Sequence, residues 1–300
     1  MSRGRTRTAC LFLLPNLAGF IVFVVLPVLA ALALSFFRWD LFHPPRFIGL
    51  RNFVQLLGRS TDEDGQWVWN DPRFWRFLGN TLFFMIGIPF NMASSLALAL
   101  LLNQKLPGRM AFRTIFFLPT VCMGVGLMLL WRFMFNADAG IVNASLGAIG
   151  ITGPSWLSYH WAKPTIMLMN LWVAMGGTNM ILYLAGLQSI PPELYEAAHI
   201  DGASAWGRFR QITLPSLRPT TFFILITSII AGFQGEFDSV YVMTQGGPDG
   251  ATTTLSYYIF NHAFQWFNLG YASAVSVVLF LAVMSATLLN WRAWRGGGDA

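Results

Sequence analysis

The side chains in this sequence that could do chemistry are a few polar and charged groups inside long apolar stretches. Glu236 and Asp238 lie in one stretch, and Arg132 lies in another. A charge within a bilayer is costly, so such groups indicate an ion pair or a functional pathway. Amides, hydroxyls and rings in the same stretches could line that pathway, namely Asn91, Ser94, Ser95, Asn170, Thr178, Asn179, Gln234, Trp172, Tyr183, Phe233 and Tyr241. The alternative for each amide or hydroxyl is a hydrogen bond between packed helices.

The arrangement of these groups argues against catalysis. The histidines are isolated from one another and the cysteines lack metal-ligand spacing, at His43, His160, His199, His262, Cys10 and Cys122. No serine nucleophile elbow occurs in the apolar stretches. We therefore predict no metal site, two free thiols and no intramembrane enzyme.

The composition is that of a membrane protein. Hydrophobic residues make up 55% of the 300 residues and charged residues only 11%, whereas soluble domains carry about 25% charged residues. The formal net charge of +6 comes from arginines scattered among apolar stretches. Because they form no patch, nucleic acid is excluded as a partner.

Six apolar segments are long enough to cross a bilayer core, which takes about 20 helical residues. The predicted fold is therefore an all-α polytopic protein with spans at 11–36, 78–102, 114–135, 164–188, 220–243 and 269–291. The first segment is longer than the about 7–15 apolar residues of a signal peptide, so it is read as a retained span. Residues 1–10 and 292–300 are the predicted tails.

Basic residues set the predicted orientation. Arginines and lysines without nearby acids occur at the N-terminus, after span two and at the C-terminus, namely Arg3, Arg5, Arg7, Lys105, Arg109, Arg113, Arg292 and Arg295. Further arginines follow span four, namely Arg208, Arg210 and Arg218. By the positive-inside rule this side is cytoplasmic, with both termini inside. The loop 38–77 also holds arginines, mixed with acids and tryptophans that suit the outer interface.

One polar segment, residues 189–219, interrupts the apolar pattern on the cytoplasmic side. Pro191 and Pro192 end span four and pre-set the first turn of a new helix. Gly202 can adopt the left-handed conformation that ends this helix, and Ser204 can cap a second one. We expect a short helix–turn–helix with small and acidic residues available to a partner. The alternative is an ordinary amphipathic interfacial loop.

The sequence EAAHIDGASAWGRFRQITLP resembles the EAA loop of ABC importer permeases, E-A-A-x-x-D-G-A followed by I-x-L-P. The core is matched at Glu196, Ala197, Ala198, Asp201, Gly202, Ala203, Ile212, Leu214 and Pro215. The stretch YVMTQGGPDGATTTLSYYIFNHAF resembles the segment before the last span in the carbohydrate family, in the maltose and glycerol-3-phosphate systems. The likeness extends over the whole chain and implies the type I importer permease fold over 11–291.

The resemblance also implies a mechanism and partners. The loop 189–219 would be the coupling helix that docks on a cytoplasmic ATPase, through Glu196, Ala197, Ala198, Asp201, Gly202 and Ala203. The expected partners are a second homologous permease, an ATP-binding subunit dimer, an extracytoplasmic solute-binding protein, a sugar or polyol, and membrane lipid. The chain has no G-x-x-x-x-G-K-[ST] motif. We therefore expect it to bind no cofactor of its own, with ATP and Mg on the partner ATPase.

The resemblance places the family's solute contacts near the middle of spans four and five. It makes Thr178, Phe233 and Glu236 the first candidates for the substrate pathway, together with Asn179 and Gln234.

The charges in spans three and five are expected to divide their roles. Residues two apart on a helix point about 200° apart, so Glu236 and Asp238 cannot both meet Arg132. We predict that Asp238 pairs with Arg132 as a brace, while Glu236 faces the pathway. The alternative is that both acids reach the outer interface and are solvated there.

A second function class is a secondary transporter or channel that needs no ATPase. It would predict an inverted internal repeat and discontinuous helices at the membrane midplane. No clear repeat is found in the sequence. The solute itself, whether disaccharide, oligosaccharide or glycerol-3-phosphate, stays open at this point.

Overall fold

The computed structural model describes residues 3–63, 65–104, 107–122, 124–234 and 236–296. Within this part of the chain, five helical stretches are long and apolar enough to cross a membrane: Phe12–Leu34, Pro72–Asn103, Ala162–Gln188, Arg218–Met243 and Leu269–Arg292. The pair Arg109–Val121 and Val125–Met134 qualifies together but is bent by 96°. If this pair is one broken span, the stretches coincide with the six predicted from hydrophobicity.

The helices follow in chain order. They are α1 Arg3–Phe20, α2 Leu26–Leu34, α3 Arg51–Leu57, α4 Pro72–Met85, α5 Gly87–Asn103, α6 Arg109–Val121, α7 Val125–Met134, α8 Ile141–Ala148, α9 Ala162–Met175, α10 Thr178–Gln188, α11 Pro192–Ile200, α12 Ala205–Arg208, α13 Leu214–Ser216, α14 Arg218–Gln234, α15 Phe237–Met243, α16 Leu255–Phe260 and α17 Leu269–Gly296. π-helical turns occupy Ile21–Val25, Phe209–Thr213 and Asn261–Gln265.

In the described part of the segment between the first two spans, four short strands form two antiparallel hairpins. β1 Phe37–Arg38 pairs with β2 Arg46–Phe47, and β3 Arg59–Thr61 pairs with β4 Trp67–Trp69. The aromatic residues of this segment stack locally, and the Arg59 guanidinium lies 3.8 Å from the centre of the Trp69 ring. The sequence predicted a loop here and missed the strands.

The chain divides into two compact units. The first comprises Met1–Trp75 and Tyr258–Ala282, and the second comprises Arg76–Tyr257 and Val283–Ala300. In the second unit, α5 packs against α9, α10 and α14 around an apolar core. Its buried members are Leu98, Ala99, Leu102, Met180, Tyr183, Leu184, Leu187, Ile190, Leu217 and Ile224. This core holds together the helices that carry most of the predicted site residues.

Glycine allows two close helix contacts in the second unit. A Cβ on Gly176, at the end of α9, would lie 2.0 Å from the carbonyl oxygen of Phe116 in α6. A Cβ on Gly186 in α10 would lie 2.8 Å from the Thr220 hydroxyl oxygen of α14. Both distances are shorter than any side chain tolerates, so only glycine permits these helices to approach so closely.

The first transmembrane stretch, Phe12–Leu34, is not covered by the rest of the described chain. None of its most apolar window is buried, and large side chains such as Phe12, Leu13 and Phe23 are more than 60% exposed. An exposed apolar surface of this kind is typical of a segment that contacts lipid or another membrane subunit.

Candidate functional site

The loop between α10 and α14 has the predicted helix–turn–helix form. Pro192 is the first residue of α11, where its missing N–H is not needed. Glu196 and Ala197 lie on the exposed surface of this helix, and Ala198 is half-buried. Small exposed side chains at this place leave the backbone open to a close approach.

Gly202 ends α11 in the left-handed conformation, with φ of 75°. The Ala203 amide donates to the Ala198 carbonyl at 2.9 Å, and the Gly202 amide donates to the His199 carbonyl at 3.1 Å. These two bonds form a Schellman motif, which satisfies carbonyl groups at a helix end. Asp201 is exposed beside it, and Ala203 is half-buried. The sequence-based assignment of a glycine cap is confirmed.

The second half of the loop is tied to the first. The Ser204 hydroxyl caps α12 by accepting from the Gly207 amide at 3.1 Å, as predicted. The Tyr195 and Thr213 hydroxyls are hydrogen-bonded at 2.9 Å. This bond joins α11 to the π-helical turn that leads into α13 and α14. Ile200 is 86% exposed at the tip of the loop.

A cavity of about 720 Å³ lies within the second unit. Its polar lining comes from several helices and includes Thr120, Asn170, Thr178, Asn179, Thr227 and Ser228. Two helix breaks line this cavity within the described residues, at Gly177 between α9 and α10 and at Glu236 between α14 and α15. Broken helices free backbone groups, which are tolerated at membrane depth where they line a polar cavity.

Four of the five predicted pathway residues line this cavity: Thr178, Asn179, Gln234 and Glu236. The fifth, Phe233, does not. Its side chain is only 5% exposed, and its carbonyl accepts the Ser256 hydroxyl at 3.2 Å. Phe233 therefore packs inside the unit, because α14 turns its ring away from the cavity.

Glu236 is held at the break between α14 and α15. Its backbone is left-handed, with φ of 65°, which is uncommon for a residue with a side chain. The Asn170 amide nitrogen donates to its carboxylate, and the Asn170 oxygen accepts the Ser239 hydroxyl at 3.2 Å. This chain of contacts fixes the Glu236 carboxylate at the wall of the cavity.

The predicted ion pair between Arg132 and Asp238 is not formed, and this prediction is corrected. The Arg132 guanidinium donates to the Val242 carbonyl at 3.1 Å, in the contact between α7 and α15. Asp238 instead lines the cavity and is exposed there. The predicted pairing requires one continuous helix through residue 238. The break at the left-handed Glu236 changes the direction of every later side chain, so the 200° relation does not hold.

A buried polar cluster in the first unit was missed in the sequence. The Asp71 carboxylate is 8% exposed and accepts hydroxyl bonds from Tyr258, at 2.7 Å, and from Tyr271. It also accepts the Arg73 and Phe74 amides at 3.1 and 3.2 Å, which caps α4. An Asp followed by Pro is a helix-start signal, so the cap was predictable. The tyrosine partners were not, since they lie 187 and 200 residues away.

The surroundings of this cluster alter two pKa values. Burial raises the pKa of the Tyr258 hydroxyl above its usual range, and its hydrogen bond to Asp71 raises it further. Burial lowers the pKa of His262 to about 4. The His262 ring is packed among Tyr258, Trp266 and Tyr271, with ring centres 4.5 to 4.6 Å apart. Both groups are therefore neutral at pH 7.

The family comparison decides what kind of protein carries this architecture. Residues 8–294 match the model of the binding-protein-dependent transport system inner membrane component. The chain belongs to this family. It is thus a membrane-spanning transport permease, as the EAA resemblance indicated.

Individual relatives agree with the family. The chain is 41% identical to the lactose transport system permease protein LacF of Rhizobium radiobacter, over 95% of this chain and 93% of the relative. It is 34% identical to the trehalose/maltose transport system permease protein MalF of Thermococcus litoralis, over 95% and 92%. Among solved structures, one chain of a bacterial ABC transporter for import of the acidic polysaccharide alginate matches with TM-score 0.82. That match has 25% identity and covers 99% of this chain and 98% of the other.

These matches bear on the alternatives from the sequence. The permease has the type I ABC importer fold, since its backbone follows the importer chain over nearly its whole length. Discontinuous helices had been expected only of a secondary transporter, yet they occur here in spans three to five. That criterion does not separate the two classes, because any membrane cavity that binds a polar solute benefits from freed backbone groups.

Proposed function

We propose that this permease moves a sugar or related polyol through the cavity of the second unit, driven by a separate ATPase that docks on residues 189–219. One observation carries the proposal. The loop connects α10 and α14, and both of these helices line the cavity. A displacement of the loop is therefore applied directly to two walls of the solute path.

The connection between loop and helices is stiff enough to transmit such a displacement. The contact at Gly186 holds α10 against α14 just before and just after the loop. The Tyr195–Thr213 hydrogen bond ties the two arms of the loop together. Packed helices move as rigid bodies rather than deforming continuously, so the loop, α10 and α14 are expected to move together.

The partner that displaces residues 189–219 is an ATP-binding subunit. Glu196, Ala197 and the left-handed Gly202 offer it small side chains and one carboxylate on an exposed surface. The sequence contains no phosphate-binding loop, so ATP and Mg belong to the partner. This arrangement puts the loop and both termini in the cytoplasm, in agreement with the arginine distribution.

Two further partners are part of the proposal. The uncovered surface of Phe12–Leu34 fits lipid together with a second permease subunit. A solute-binding protein would deliver the solute from outside, as the family's description implies. A cavity of about 720 Å³ lies within the usual 300–1,000 Å³ of small-molecule sites and is large enough for a disaccharide.

The coupling role is tested by straining the loop without touching the cavity. Gly202→Val forces a β-branched residue into a left-handed turn, which costs about 1–2 kcal/mol. We expect the variant to insert and fold but to retain less of the ATPase when the tagged permease is purified in mild detergent. The ATPase is identified in the eluate by peptide sequencing and by ATP hydrolysis.

The chain provides a matched control at Gly150. It has φ of 78° at the end of α8, with the same pair of bonds: the Ile151 amide to Leu146 at 2.9 Å and the Gly150 amide to Gly147 at 3.0 Å. At both glycines an added Cβ would meet nothing within 4 Å. Gly150→Val therefore brings equal strain outside the loop and should keep the ATPase. Equal retention by both variants would remove the coupling assignment.

A further inference from the structure

The ionisable side chains of the cavity are all acidic. Among the described residues that line it, Glu236 and Asp238 have carboxyl groups, and none is Lys, Arg or His. Arg132, from the neighbouring α7, directs its guanidinium to the Val242 carbonyl instead. Arg76 is similarly engaged by Asp249, with its guanidinium 2.6 Å from the carbonyl oxygen and 3.2 Å from the carboxylate. The negative charge on the cavity wall is therefore not balanced by a lining base.

The two carboxylates differ in their freedom. Glu236 is fixed by Asn170, which is itself held by the Ser239 hydroxyl. Asp238 is exposed to the cavity, and within the described part of the chain no side chain forms an ion pair or hydrogen bond with it. The Glu236 carboxyl group is thus held by the protein, whereas the Asp238 carboxylate is available to a solute.

The exposed Asp238 carboxylate creates a local negative potential in the cavity. Low-dielectric walls focus the field of charges in a cleft and change the local concentration of ions by factors of 10 or more. A charge within a span is energetically costly, so its presence indicates a functional role. An acidic wall attracts cations, accepts hydrogen bonds from sugar hydroxyls and repels anions.

We propose that this cavity selects neutral polyols and cationic amino sugars and rejects anionic sugars, with Asp238 as the specificity-determining carboxylate. The inference rests on the proposed function, in which the cavity is the solute path. It restricts the solute to neutral and cationic molecules. Phosphorylated, sulfonated and uronic-acid sugars, which are anionic, are excluded.

The charge selectivity can be measured without knowing the solute. Cys10 and Cys122 are first replaced by Ser, and Thr178→Cys then puts one thiol on the cavity wall. The purified complex is treated with two methanethiosulfonate reagents of similar size, one with a trimethylammonium group and one with a sulfonate. The ratio of the two modification rates is divided by the same ratio for free 2-mercaptoethanol. We expect the cationic reagent to be favoured on the order of tenfold or more.

Variants of the acids assign the effect. Asp238→Asn should lower the rate ratio several-fold, while Asp238→Glu should keep it. Asp138→Asn, which removes an exposed carboxylate from the loop after α7, is the matched control and should leave the ratio unchanged.

The outcomes separate the two proposals. If Thr178→Cys reacts but shows no preference for the cationic reagent, the charge selectivity is refuted while the water-filled path is supported. A preference that survives Asp238→Asn unchanged would remove the role of Asp238. If neither reagent reaches Thr178→Cys, the cavity is not a solute path, and both the proposed function and this inference fail.

Discussion

Removal of the Asp71 carboxylate should strongly destabilise the first unit. Its four hydrogen bonds come from two buried tyrosine hydroxyls and two backbone amides at the start of α4. In Asp71→Ala, Tyr258 and Tyr271, which are 3% and 1% exposed, lose the acceptor that they share. The two hydroxyls are also hydrogen-bonded to each other, so only one of them loses its only acceptor, at a cost of about 1–3 kcal/mol. The lost helix cap adds about 1 kcal/mol.

These contributions sum to roughly 2–4 kcal/mol. For a unit of this size, we expect the unfolding temperature to fall by at least about 8 °C. The assay is thermal unfolding of the purified complex, followed by tryptophan fluorescence. Asp138→Ala, the removal of an exposed carboxylate, should change stability by less than about 0.5 kcal/mol.

A second pair of changes tests the reason for the loss. Adding Tyr258→Phe and Tyr271→Phe to Asp71→Ala removes the stranded hydroxyls together with their acceptor. Replacing both partners of a buried hydrogen bond by apolar groups is close to neutral, so part of the stability should return. If Asp71→Ala unfolds within about 2 °C of the wild type, or if the tyrosine changes destabilise it further, the argument is refuted.

Three further predictions follow from other parts of the fold. Because the pKa of His262 is lowered to about 4, the unfolded state binds more protons below its usual pKa of 6.5. Stability should therefore fall as the pH drops from about 6.5 to about 4, by on the order of 1–2 kcal/mol after solvent screening. Thermal unfolding of His262→Phe should lack this pH dependence. Gly176→Ala should lower the yield of folded protein, because its Cβ would lie 2.0 Å from the Phe116 carbonyl oxygen and overpacking costs about 1–3 kcal/mol. A cysteine at Trp206 should react with an impermeant thiol reagent only from the cytoplasmic side and one at Ser60 only from outside, and the reverse pattern would overturn the orientation.

Much of the architecture could be predicted, because lipid imposes simple rules on a sequence. Apolar stretches of sufficient length marked the helical segments that the structure contains. The end of α11 was predictable for a different reason, since a left-handed turn favours glycine and Gly202 occupies it. Thr178 and Glu236 were placed at the cavity by family resemblance rather than by pattern.

The errors came from helix breaks, which hydrophobicity does not reveal. Span three was read as one helix, yet it bends by 96° where Gly124 has φ of 146°. The prediction of the Arg132–Asp238 pair was wrong because the break at Glu236 was not foreseen. Phe233 was misplaced for a related reason, since one residue of rotation decides whether a ring faces a cavity or a core. The partners of Asp71 depend on tertiary contacts across most of the chain.

The first unit is built from two segments that are far apart in the sequence, Met1–Trp75 and Tyr258–Ala282, and this affects its biosynthesis. Asp71 emerges from the ribosome long before Tyr258 and Tyr271, which lie 187 and 200 residues later. At a translation rate of about 5–20 residues per second, the two tyrosines are synthesised about 10–40 seconds after Asp71. Synthesis of Tyr258–Ala282 therefore completes the first unit, and a chain truncated before Tyr258 would leave Met1–Trp75 open to quality-control proteases.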